Sequence, residues 1–161
     1  MRVVVLPLAD PAISLESAAA ALLSGQIVLL PTDTIYGLSC LAKNETAVRR
    51  LATIKGRPDN KPLIALINSW TMADDYSIIS EAAQQYLSEV WPGPVTAILP
   101  SRQNLPAVVT GGLSTIALRW PKNDWLNQLL AMVDQPLVST SANLAGQTPI
   151  TSIDEIDQYF I

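Results

Sequence analysis

At 161 residues, 49% of them apolar and only 15% charged, the chain has enough interior-forming residues for a packed core and too few charges for a disordered segment. Its formal net charge of −4 excludes a uniformly basic nucleic-acid binder. Histidine is absent and Cys40 is the single cysteine, which removes imidazole bases, Ser–His and Cys–His nucleophile pairs, an intrachain disulfide and most zinc sites.

In chain order, Met1 to Pro7 lacks the apolar core and cleavage site of a signal peptide, and no apolar run reaches the roughly 18 residues of a membrane span. With one cysteine, this leads us to expect a cytoplasmic protein with no membrane partner. Val3 to Leu8 reads as a strand. Ser14 to Ser24 is an alanine-rich helix with Ser14 as its cap and Gly25 as its terminator. Ile27 to Leu30 is a buried strand that runs into Pro31-Thr32-Asp33-Thr34-Ile35-Tyr36-Gly37-Leu38. Asn44 caps a helix over Glu45 to Ile54. There follows a stiff basic loop, Lys55 to Pro62, whose two prolines and glycine forbid a continuing helix. Leu63 to Ile67 is a buried strand. Two helical stretches, Trp70 to Asp75 and Ser80 to Val90, lead to a break at Trp91-Pro92-Gly93-Pro94. The strand Val95 to Leu99, a Pro/Gly loop holding Gly111-Gly112, and the strand Thr115 to Trp120 come next. A helix over Asp124 to Val133 precedes a short strand at Leu137-Val138, a polar loop from Ser139 to Asn143, and a last helix over Ser152 to Phe160. The alternation, with no repeat and no long linker, predicts a single α/β domain over residues 1–161.

Charge is unevenly placed. Six of the ten Lys and Arg residues lie between Lys43 and Lys61, and none follows Lys122. Lys55, Arg57 and Lys61 on one stiff loop suit phosphates or carboxylates, although a solvated basic turn has the same composition. Three polar clusters each follow a strand. Thr32, Asp33, Thr34 and Tyr36 place hydroxyls on one face of an extended segment, or else form a turn closed by Asp33. Arg119 ends a strand just before Pro121, a position most often held by a surface charge. Ser139 to Asn143 offers hydroxyls, an amide and backbone N–H groups to a phosphate, or forms a capped loop. Ligands of open α/β sheets sit beyond strand ends, so the clusters and the basic loop point to one shared cleft. Trp91, Trp120 and Trp125 read as packing residues. Cys40 reads as buried and inert. Asp74-Asp75 and Asp154-Glu155 read as solvated helix ends.

Five stretches in order, PTDTIYGL (31–38), KGRPDNKPLI (55–64), WPGPVT (91–96), ALRWP (117–121) and STSAN (139–143), resemble the YrdC/TsaC family of threonylcarbamoyl-AMP synthases. The resemblance implies a twisted, mixed α/β sheet with flanking helices around a large concave site. It implies condensation of L-threonine, bicarbonate and ATP to threonylcarbamoyl-AMP and pyrophosphate, with Mg²⁺ on the pyrophosphate side. Downstream transferase proteins would then carry the threonylcarbamoyl group to a tRNA adenosine. Lys55 and Arg57 match the family's K-x-R signature, implied to be catalytic, and Ser141 with Asn143 match its S-x-N. The resemblance places Lys55, Arg57, Lys61, Thr115, Ser141 and Asn143 near ATP. It places Thr34, Arg119 and Ser139 near threonine, with Thr32 and Tyr36 lining the same pocket. Leu66 stands where some members carry a histidine. Longer relatives add a second domain over the site, so this chain is expected to do without that closure or to borrow it from a partner.

The chemistry suits the inventory. A carbamate is already anionic, so its attack on the α-phosphate needs positioning and cations instead of a side-chain base. The residues leave three other readings open. One is an RNA-binding module, with weak tRNA or RNA contact through the cations at 43–61. Another is a nucleotide-binding relative without the chemistry. The third is a phosphate-handling hydrolase, poorly served by the lack of histidine and of a carboxylate pair.

Overall fold

The computed structural model describes residues 11–56 and 60–143. The strand expected at Val3 to Leu8, the helix expected at Ser152 to Phe160 (with Asp154-Glu155), and Arg57 of the basic loop lie outside the described residues. The elements are α1 (Pro11–Leu23), β1 (Val28–Leu30), β2 (Gly37–Leu41), α2 (Glu45–Ile54), β3 (Ile64–Leu66), α3 (Trp70–Tyr76), α4 (Glu81–Val90), β4 (Thr96–Pro100), α5 (Ala107–Thr110), β5 (Thr115–Arg119), α6 (Asp124–Val133) and β6 (Leu137–Ser141). The strands form one sheet in the order β1-β2-β6-β3-β5-β4. Only β3 and β5 run parallel; every other neighbouring pair is antiparallel. This is the mixed α/β sheet with flanking helices that the alternation and the resemblance predict.

Alternate residues of each strand feed two cores, one per face. Leu38 and Cys40 of β2, Ala65 of β3, Ile116 and Leu118 of β5 and Val138 of β6 join the buried faces of α2, α3 and α5. Leu30, Leu41, Leu66 and Leu137 point the other way and pack with α1 and α6. The amphipathic helices follow from local sequence. In α2, Asn44 accepts from the Ala47 N–H at 3.0 Å, and Ala47, Val48, Leu51 and Ala52 form the buried stripe. In α6, Asn123 accepts from the Leu126 N–H, and Leu126, Leu129, Leu130 and Val133 face inward.

Two expectations about local structure need correction. The first helix begins at Pro11, so Ser14 is not its cap; its hydroxyl is buried in the first turns and accepts from the Trp125 Nε1–H at 3.2 Å. Proline at the first helical position costs nothing there, because that N–H has no partner in any helix. The segment Ser139 to Asn143 is a strand for its first three residues. Ser139 pairs with Ser39 across β2 and β6, and their buried hydroxyls meet at 3.0 Å, so the ladder offsets the weak strand preference of serine. The strand β2 and the short helix α5 have no clear pattern in the sequence. Gly37-Leu38-Ser39-Cys40-Leu41 is buried on both faces and carries no alternation to read.

The remaining packing assignments hold. Trp70 lies between Trp91 and Trp120, with ring centroids 5.7 Å and 6.1 Å away, while Trp125 packs beside α1. Cys40 is fully buried, and loss of hydration pushes its thiol up to about 12 despite the nearby Arg50, which leaves it un-ionised and inert at neutral pH. Asp74 and Asp75 are exposed at the end of α3. No helix among the described residues is long and apolar enough to cross a membrane.

Gly111 ties α5 to the basic loop. It caps α5 at φ +63°, and a Cβ there would stand 2.7 Å from the Asn60 carbonyl oxygen and 3.0 Å from the Pro62 nitrogen. The Leu63 N–H donates to the Val109 carbonyl at 2.9 Å beside it. Gly112, at φ +78°, has open space around its missing Cβ. Gly112→Ala should therefore cost only the left-handed backbone penalty, about 1–2 kcal/mol. Gly111→Ala should cost clearly more and displace the loop bearing Lys61. Denaturant unfolding of the two variants side by side measures the difference, and equal losses would show that the loop is not clamped here.

Candidate active site

The site follows from where the topology puts three loops. The helix α2 links β2 to β3 and so passes over β6, which lies between them. Because β6 runs antiparallel to both, its C-terminal end meets the C-terminal end of α2 and the start of β3. That crossing brings the basic loop to the Ser141–Asn143 segment. The β1–β2 connection leaves the sheet at the Leu30–Gly37 pair, beside Ser141, and folds across the face to the end of β5. A cavity of about 100 Å³ lies beneath this connection, walled by residues 32–37, β3, Arg119 and residues 139–141. It is well below the roughly 300–1,000 Å³ of drug-sized pockets and suits a small metabolite.

Thr32 shapes the connection. Its hydroxyl accepts from the Thr34 N–H at 3.1 Å and the Ile35 N–H at 3.2 Å, and donates to the Ile35 carbonyl at 2.7 Å. The Thr34 hydroxyl lies 3.2 Å from that of Thr32. The Tyr36 carbonyl accepts from the Ala142 N–H at 2.9 Å, which stitches the connection to the end of β6. Gly37 has no room for a side chain, since a Cβ would sit 2.4 Å from Ser139 Oγ. Ile64 and Leu66 form an apolar part of the wall.

Arg119 is not the surface charge that its position suggests. Its side chain is 14% exposed and that of Asp33 is 7% exposed. Arg119 Nη2 donates to Asp33 Oδ1 at 2.6 Å and lies 3.4 Å from the Thr34 hydroxyl. Asp33 Oδ2 accepts from the Lys122 N–H at 3.3 Å, so both carboxylate oxygens are engaged. Arg119 Nε is buried and has no hydrogen-bond partner among the described residues.

At the sheet edge, Lys55 ends α2 and is buried, a correction to the open basic loop expected for it. Its Nζ donates to the Ser141 carbonyl at 2.8 Å, to Asn143 Oδ1 at 2.6 Å and to the Asn143 carbonyl. The Ser141 hydroxyl donates to Asn143 Oδ1 at 2.6 Å. The lysine of K-x-R and both named residues of S-x-N thus form one network. Lys61 is exposed next to Pro62. Thr115 starts β5 on the same edge, because Ile64 pairs with both Ala117 and Ser139, but it is not part of the cavity wall. The structure therefore gathers Thr32, Thr34, Tyr36, Arg119, Ser139 and Ser141 around the cavity, and Lys55, Ser141 and Asn143 beside it.

Sequence reasoning missed Asp33 as the counter-ion of Arg119 and Ser39 as the partner of Ser139. The signal for Asp33 was an acidic residue among hydroxyls and a solitary strand-end arginine, 86 residues apart. Among the described residues no group of three or more His, Cys, Asp or Glu side chains could hold a metal.

Known proteins are similar to this chain in sequence and fold. The family model for Sua5/YciO/YrdC, described as telomere recombination, matches residues 20–161. The chain is 37% identical over 144 residues to a protein of Pyrococcus abyssi named threonylcarbamoyl-AMP synthase, covering 89% of this chain and 42% of that one. It is 36% identical over 146 residues to the protein of the same name from Vibrio vulnificus, covering 89% of this chain and 78% of that one. The solved structure of Pyrococcus abyssi Sua5 complexed with L-threonine superposes with a TM-score of 0.88 at 35% identity, over 94% of this chain and 44% of that one. The chain thus spans less than half the length of the archaeal relative and about three quarters of the bacterial one.

Proposed function

The chain belongs to the Sua5/YciO/YrdC family, and from that premise we propose that it is an L-threonylcarbamoyladenylate synthase, condensing L-threonine, bicarbonate and ATP to threonylcarbamoyl-AMP and pyrophosphate. The observation that carries this reading is the amino-acid-sized cavity with a half-buried arginine on its wall, beside the Lys55–Ser141–Asn143 edge, in a fold whose 35%-identical relative was solved with L-threonine.

In this reading the threonine carboxylate docks on Arg119, with the hydroxyls of Thr34 and Ser139 and the ring of Tyr36 around the rest of the substrate. The free amine and bicarbonate condense with loss of water to a carbamate. A carbamate oxygen then attacks the α-phosphate of ATP, and pyrophosphate leaves. Arg57 and Lys61 offset the charge that builds on the phosphates, and Lys55 supports the Ser141–Asn143 segment against which the nucleotide lies, with Thr115 on the same edge. Mg²⁺ would enter with ATP and would supply further charge neutralisation at the phosphates.

Passage of the product to transferase proteins that modify tRNA, and a cytoplasmic site of action, belong to the same proposal. The basic stretch gives direct tRNA binding a weak foothold. Lys43 lies over the Tyr76 ring, 5.7 Å from its centroid, Arg49 pairs with Glu45 at 2.7 Å, and Lys55 is buried, so these three of its cations are engaged within the protein.

Pyrophosphate release from ATP and Mg²⁺ in bicarbonate buffer tests the proposal. Release should require both L-threonine and bicarbonate and should be weak with L-serine or L-alanine. Threonine-independent release would indicate a hydrolase. ATP binding without any release would indicate a relative that lacks the chemistry.

A further inference from the structure

We propose that Asp33 is a positioning residue for substrate recognition, holding the Arg119 guanidinium so that its remaining Nη N–H groups meet the carboxylate of the incoming amino acid. The inference rests on the synthase reading and goes beyond it. Guanidinium is planar and rigid, so fixing one terminal nitrogen and the stem fixes the direction of the remaining N–H groups. Arg119 is held in that way by the 2.6 Å bond from Nη2 to Asp33 Oδ1, while β5 holds its backbone. The carboxylate is itself fixed, because Oδ2 takes the Lys122 N–H at 3.3 Å and the Asp33 side chain is only 7% exposed. Nη2 serves Asp33 and lies near the Thr34 hydroxyl, while the Nε–H is buried where no ligand atom reaches it. The Nη1 N–H groups are the donors left on this residue of the cavity wall, and a ligand carboxylate would accept from them. Asp33 makes no contact with the substrate in this scheme; it acts through Arg119.

Asparagine cannot replace it. An amide that offers its oxygen to Arg119 turns its NH₂ toward the Lys122 N–H, donor against donor. Asp33→Asn should therefore weaken L-threonine binding about tenfold or more by calorimetry, the scale of one charge-assisted contact. Binding of L-threoninol, which carries CH₂OH in place of the carboxylate, should change less than about twofold, as should the KM for ATP. In an Arg119→Lys background, where no guanidinium fork remains, the same Asp33→Asn change should have little further effect on threonine.

Equal losses for threonine and threoninol would show that Asp33 only supports the loop, and would overturn the proposal. A full effect persisting in the Arg119→Lys background would overturn it as well, since Asp33 would then be touching the substrate directly. The isosteric substitution keeps the fold testable, and a melting curve identifies any sample that is not folded; Asp33→Glu, which keeps both acceptors but shifts them, then takes its place with the same threonine-to-threoninol comparison. Threonine-dependent pyrophosphate release by the unaltered protein separates the two levels. Its absence defeats the synthase reading and this inference together, whereas normal release with indifferent Asp33 variants defeats this inference alone.

Discussion

Replacing Lys55 by alanine is expected to slow threonylcarbamoyl-AMP formation by about 10²–10³-fold, the usual cost of losing one preorganised contact to a developing charge. Lys55 is buried, and its ammonium serves the Ser141 carbonyl, the Asn143 carbonyl and Asn143 Oδ1. Removing it leaves these acceptors without their charged donor, for about 1–3 kcal/mol of stability. The Ser141 hydroxyl still reaches Asn143 Oδ1, so the segment has a remaining tie and the domain should fold. The loss in rate has two sources, the positive charge near the phosphates and the geometry of Ser141 and Asn143. A cycle with Asn143→Ala separates them. If Lys55 acts by holding Asn143, the double variant should be little slower than either single one. If it acts as a charge on the phosphates, the two losses should multiply. Single-turnover pyrophosphate release measures both, and a near-normal rate in Lys55→Ala would remove this residue from the catalytic assignment.

The same network shows how far the sequence alone could be read. The helix over Glu45 to Ile54 was legible to the residue, because its cap and its apolar stripe are encoded within ten positions. So were the bounds of α6, for the same reason. Family motifs named most of the cavity wall, but they could not show how the wall residues bond to one another. The Arg119–Asp33 pair joins residues 86 positions apart, and nothing local distinguishes an arginine at a strand end from an exposed one. The burial of Lys55 was hidden in the same way: a lysine followed by glycine and proline looks solvated until β6 is placed under the end of α2. Strand β2 was missed because full burial on both faces erases the alternation by which a strand is found.

Arg119→Ala should have the largest effect on stability and a specific effect on the use of threonine. The substitution strips Asp33, 7% exposed, of its counter-ion, leaving the Lys122 N–H as its remaining partner. Breaking a buried pair from one side typically costs about 3–5 kcal/mol, because the other charge stays behind without compensation. A denaturant midpoint should fall accordingly, and Arg119→Ala combined with Asp33→Asn should recover part of the loss, since the stranded carboxylate is then gone. The kinetic effect should have a different signature. If the guanidinium binds the threonine carboxylate alike in the ground and transition states, the KM for threonine should rise by about 10²-fold or more while kcat and the KM for ATP change little. Arg119→Lys separates the two roles. A lysine ammonium can still face Asp33 and should restore much of the stability, but it lacks the planar fork and should leave the threonine KM high. A lysine variant that recovers threonine affinity along with stability would mean that Arg119 serves the fold alone, and that the carboxylate of the substrate is held elsewhere in the cavity.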